Sequence, residues 1–148
     1  DNGFPSVAEC CQLLRANGTD EVTLIGLKNS EIPTLIEALS HNESLKKITF
    51  ADAKFRSEGA NLLGKWFLSL SSGCNVSSVS ICDSMLSYGA YSKLLNAISK
   101  SKLSLEVLFL HNISKGIHFN DIIAFCNEIT KVIYRHTETE VYIHELCH

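Results

Sequence analysis

A short apolar phrase recurs five times along this chain. Taking one residue and those two and five positions after it gives Val22, Leu24, Leu27; Ile48, Phe50, Ala53; Val79, Ile81, Ser84; Leu108, Leu110, Ile113; and Val141, Ile143, Leu146. The first two members of each triplet lie two residues apart, which places both on one face of a strand. The clearest copy is Leu105-Glu-Val-Leu-Phe-Leu-His-Asn-Ile113. First members follow one another at intervals of 26, 31, 29 and 33 residues. Internal repetition at such a period governs how every other motif is read. Strands are predicted at Val22–Leu24, Ile48–Phe50, Val79–Ile81, Leu108–Leu110 and Val141–Ile143.

Helical periodicity fills the intervals. Pro5-Ser6 opens a helix with Val7, Cys10, Cys11, Leu13 and Leu14 on one face, and Asn17-Gly18 stops it. Ser30-Glu31-Ile32-Pro33 starts a second, facing inward through Ile32, Leu35, Ile36 and Leu39. Ser57 begins a third, with a stripe of Leu62, Leu63, Trp66, Phe67 and Leu70 that ends at Ser71-Ser72-Gly73. A fourth carries Tyr91, Leu94, Leu95 and Ile98. A fifth begins near Asn120-Asp121 and presents Ile122, Ile123, Phe125, Cys126, Ile129 and Val132.

Strands alternating with helices are normally parallel. One strand and one helix cannot cover each other's apolar faces, so stacked neighbours must share a continuous core. A compact doubly wound α/β domain would want long, nearly all-apolar central strands. These strands are short and polar at alternate positions, which favours an α/β solenoid with helices on its outer face.

The phrase resembles a leucine-rich repeat of the ribonuclease-inhibitor type. The best matches are Leu45-Lys-Lys-Ile-Thr-Phe50 with Gly59 and Leu62-Leu63, and Leu105-Glu-Val-Leu-Phe-Leu110 with Ile122-Ile123. The Asn or Cys usual after the strand in that family is replaced by Leu27, Ala53, Ser84, Ile113 and Leu146. The resemblance implies a right-handed α/β horseshoe segment, 1–148 forming one domain of four to five irregular repeats. It also implies a module that binds other macromolecules, as do ribonuclease inhibitor and the sensor domains of nucleotide-binding innate receptors. The start at Asp1 marks the expected fragment of a longer chain.

In such a stack the residues between the inward ones line the concave sheet. One column is Thr23, Thr49, Ser80, Phe109, Tyr142. The next is Ile25, Ala51, Cys82, His111, His144, and a third is Glu21, Lys47, Ser78, Val107, Glu140. Aromatic residues gather at the C-terminal end. Exposed aromatics on a rigid sheet are candidate interface anchors. The expected protein-binding residues are therefore Val107, Phe109, His111, Tyr142 and His144, with Thr49 and Ser80. The bland alternative is that a further repeat or domain covers this patch.

His144-Glu-Leu-Cys-His148 matches HExxH, which on a helix holds zinc through both histidines and uses the Glu as general base. That is the enzyme alternative, a zinc hydrolase using His144, Glu145 and His148. Against it, Val141, Ile143 and Leu146 fall in phase with the other strands, and a strand splays the two histidines. A non-catalytic metal site from His111, His144 and Cys82 is the weaker variant. The expectation is no enzyme, no metal and no cofactor. A purely structural scaffold segment is the third reading.

Composition narrows the partner. The net charge of −3 and pI near 6.1 argue against a non-specific nucleic-acid binder. Lys46-Lys47 and Lys100–Lys102 read as solvated turns. No apolar run approaches a membrane span. No phosphate-loop or nucleophile-elbow motif occurs. The six cysteines form no CxxC. Cys10, Cys11 and Cys126 fall in helical patterns, where Cys is a small buried apolar residue, and Trp66 reads as core. N-x-S/T triplets at Asn17, Asn42, Asn75 and Asn112 would allow glycosylation and secretion. Three of them sit just before a strand, where a turn wants Asn anyway. A reduced, cytoplasmic setting is the expectation.

Overall fold

The structure, a computed structural model, describes residues 3–144. Its elements alternate as expected: α1 (Val7–Arg15), β1 (Glu21–Ile25), α2 (Ile32–Ser40), β2 (Lys47–Ala51), α3 (Ser57–Ser69), β3 (Ser78–Cys82), α4 (Tyr88–Lys100), β4 (Val107–His111), α5 (Ile122–Arg135) and β5 (Glu140–His144). Each strand runs one residue beyond the predicted core at both ends, because the ladder continues past the apolar pair. The five strands form one open parallel sheet in chain order. The register aligns Val22, Ile48, Val79, Leu108 and Val141 across it.

Local chemistry sets the helix ends. Ser6 and Glu9 form a reciprocal capping box at α1. Pro33 occupies the first turn of α2, and the Ser87 hydroxyl accepts from the Ala90 N–H at α4. Successive helices pack side by side and share one core with the sheet. Val22, Leu24, Ile48, Phe50, Val79, Ile81, Leu108 and Leu110 all point into it.

A second repeat runs through the turns. The residue after each of the first four strands has positive φ: Gly26 at 69°, Asp52 at 48°, Asp83 at 50° and Asn112 at 52°. Gly, Asn and Asp tolerate this left-handed conformation best. Each of these residues donates its backbone N–H to the last carbonyl of the next strand, Ala51, Cys82, His111 and His144 in turn. The turn therefore stitches one strand–helix unit to its successor.

Ser84, the polar member of its triplet, is fully buried and has a role there. Its hydroxyl accepts from the Ala53 N–H at 2.9 Å and donates to the Cys82 carbonyl at 3.0 Å. The Tyr91 hydroxyl donates to the Ser84 carbonyl at 3.2 Å, and burial pushes that phenol far up. Ser84→Ala is expected to leave a buried N–H unpaired and lower stability by about 1–3 kcal/mol. Urea unfolding monitored by circular dichroism measures this.

Several predicted inward residues are corrected. Leu13, Leu62, Ile123 and Cys126 are exposed, and Ile36 and Ile122 are half-buried. The helical stripes are narrower than the sequence pattern, because a helix touches the sheet along only one line of residues. Val141 is half-buried and Ile143 is 41% exposed, since among the described residues no strand pairs with the far edge of β5. Leu146 lies outside the described residues.

Candidate binding face on β4 and β5

Strand alternation puts the odd-numbered residues of β4 and the even-numbered ones of β5 on the face opposite the core. Register then sets Val107 beside Glu140, Phe109 beside Tyr142 and His111 beside His144. Phe109, His111 and Val107 are half-buried, His144 is exposed, and Tyr142 is 49% exposed. These five candidates form one contiguous patch. Thr49 shares the face but sits two strands away, about 10 Å off at ordinary strand spacing.

Ser80 is the correction. Expected to line the face, it is only 6% exposed. It lies in register between Thr49 and Phe109, and a short hydroxymethyl group is shielded by larger neighbours in the same column.

The rings are ordered. Phe109 and His111 lie 6.0 Å apart between centroids at 21°. His111 and His144 lie 4.7 Å apart at 13°, with their Nδ1 atoms 2.7 Å from each other. One Nδ1 must therefore carry a proton while the other accepts it. Asp83 Oδ1 accepts from Asn112 Nδ2 at 2.9 Å and lies 4.0 Å from His111 Nε2. The Tyr142 hydroxyl donates to the Glu140 carboxylate, which raises the phenol's pKa.

For metal chemistry, His144 belongs to a strand and not to a helix. Glu145, Cys147 and His148 lie outside the described residues. Among the described residues no three His, Cys, Asp or Glu side chains converge to hold a metal ion, His111, His144 and Cys82 included. Burial, then the Asp83 charge, pushes the Cys82 thiol up.

Other sequence signals find structural roles. Cys10 and Cys11 are buried in the core, where desolvation raises both thiols and keeps them protonated. Trp66 is core, tilted against Phe67. Asn42 Oδ1 accepts from the Ser44 and Leu45 N–H groups, and its amide donates to the Leu14 carbonyl. The Asn75 amide donates to the Glu43 carbonyl, and Asn17 Oδ1 accepts from the Glu43 N–H and the Ser44 hydroxyl. Among the described residues no helix is long and apolar enough to cross a membrane.

The reading of triplets missed Gly26, Asp52, Asp83 and Asn112, two of which border the patch. Their signal was present: a Gly, Asp or Asn four residues after the first inward residue of each of the first four strands.

No family model matches the chain, and no curated protein matches it. Among solved structures, one titled Leiomodin-1 Actin-Binding Site 2 (ABS2) is similar, with a TM-score of 0.62 and 15% sequence identity over 90% of this chain and 91% of that chain. At that identity the likeness is one of fold: an α/β chain with five parallel strands in one open sheet.

Proposed function

We propose that the chain is a leucine-rich-repeat array of the ribonuclease-inhibitor type, a solenoid that recognises a protein on its concave sheet and carries out no reaction. In-register triplets, and turns that tie each unit to the next, support the repeat reading. The observation that carries the function is the patch of Val107, Phe109, His111, Tyr142 and His144. It combines aromatic area, polar tips and a rigid sheet beneath, the properties of interface anchors. The similar solved structure is by its title an actin-binding site, which supports protein recognition as a use for this fold. A reduced setting fits the amides of Asn42, Asn75 and Asn112, each donating within the fold.

Phe109→Ala with Tyr142→Ala is expected to abolish partner capture while moving the melting temperature by only a few degrees. Affinity capture with quantitative mass spectrometry compares this variant with wild type and with Leu68→Ala on the helical side. Proteins retained by wild type and Leu68→Ala but lost from the double variant are the expected result. Identical retention by all three, or loss of the fold, contradicts the assignment.

A further inference from the structure

The longest helix-to-strand connection among the described residues joins α3 to β3. It spans residues 70–77, against 41–46 after α2 and 101–106 after α4. The added length carries Ser71-Ser72-Gly73 out as an exposed turn, closed by the Cys74 N–H on the Ser71 carbonyl at 3.2 Å. Between this connection and the turn from α2 to β2 lies a cavity of about 280 Å³. Buried Leu39, Leu45, Trp66 and Val76 and half-buried Leu70 and Cys74 give it apolar walls. An apolar cavity of about 150 Å³ already seats a benzene, so this one holds a ring with a short chain attached. Folded units flank it on both sides.

The polar groups of the lining are unequally used. Asn42 and Asn75 give their amides to main-chain carbonyls in the turns. Trp66 is only 7% exposed, yet its indole N–H meets no acceptor among the described residues. Among those residues, Glu128 Oε2 is the one bare side-chain nitrogen or oxygen that is fully sealed. The Trp66 N–H therefore reaches open space, and the cavity is the space that Trp66 lines. Such a donor can point at the π face of an aromatic ring. Glu43 is exposed and is the one charged residue of the lining. Its carboxylate has neither an ion pair nor a hydrogen bond among the described residues. We propose that this cavity binds a small aromatic amine, with its ring between the apolar walls under the Trp66 N–H and its ammonium group at Glu43. The site shares no residue with the β4–β5 face, so it stands apart from the recognition proposal.

Trp66 is the only tryptophan in the chain, and its fluorescence reports on the site directly. The full chain is titrated with phenethylamine and with phenylacetate, which carry the same ring and opposite charges. Excitation at the red edge of the indole band avoids absorption by either probe. Phenethylamine is expected to change the Trp66 emission saturably, and phenylacetate to bind roughly tenfold more weakly or worse, because its charge meets Glu43. Glu43→Gln should bring the two affinities together, with circular dichroism unchanged. Equal binding of the two probes by wild type, or a preference that survives Glu43→Gln, overturns the assignment of an amine. No saturable response to either probe, as expected of a cavity that seats only a side chain of a bound protein, overturns the site itself.

Discussion

Truncating Phe50 to alanine is expected to cost about 3–5 kcal/mol, while the same truncation at Phe109 costs no more than about 1–1.5 kcal/mol. Both residues belong to the same sheet, yet they face opposite ways. Phe50 is fully buried between Leu24 and Ile81 in the register and meets Phe55 edge-on, with centroids 6.2 Å apart. Removing its ring opens a cavity that the rungs on either side hold open, because each is pinned to its own helix. A protein of this size has on the order of 7–15 kcal/mol of total stability, so Phe50→Ala removes a large part of it. Phe109 is half-exposed and gives up little packing when truncated. Paired urea titrations measure both costs, and equal values would show that the two faces had been assigned wrongly.

Gly116→Ala is the second large effect, and its cause is backbone against backbone. Gly116 sits in the loop after β4, against the loop that precedes α4. A Cβ there would meet the Leu86 carbonyl oxygen and lie 2.5 Å from the Met85 carbonyl carbon and oxygen. Neither group can turn aside as a side chain would. The expected cost is about 2–3 kcal/mol, a fall in melting temperature on the order of 5–10 °C. Gly73 is the control: a Cβ there meets nothing within 4 Å. Gly73→Ala should be neutral or raise stability by about 0.4–1 kcal/mol, because it restricts only the unfolded chain. Differential scanning calorimetry of the two variants separates these outcomes.

How much could be read from residues alone follows from where the physics is local. The strand register was legible because Val22, Ile48, Val79, Leu108 and Val141 each open the same alternation, and burial forces such patterns into line. The cross-strand pairs Phe109–Tyr142 and His111–His144 followed from that register. The burial of Ser80 did not, because it depends on the size of the neighbours in its column and not on its own polarity. Leu13, Leu62 and Ile123 looked inward by periodicity, but how wide a helical stripe is covered depends on what packs beside it. The second column of Gly26, Asp52, Asp83 and Asn112 carries a backbone signal, positive φ, and a search for hydrophobic triplets passes over it. The three asparagines before strands read equally as sequons or as turn formers. The hydrogen bonds show the turn role: Asn42 ties its own turn to the Leu14 carbonyl of the preceding unit.

The proposed partner site is the sheet face of β4 and β5, opposite the helices. Site-specific photo-crosslinking tests it most directly. A benzophenone side chain replaces Phe109 or Tyr142 in one set of samples and exposed Leu68 on α3 in another. A discrete protein adduct is expected from positions 109 and 142 and none from 68. Adducts from position 68 alone, or from no position on the sheet, would contradict it.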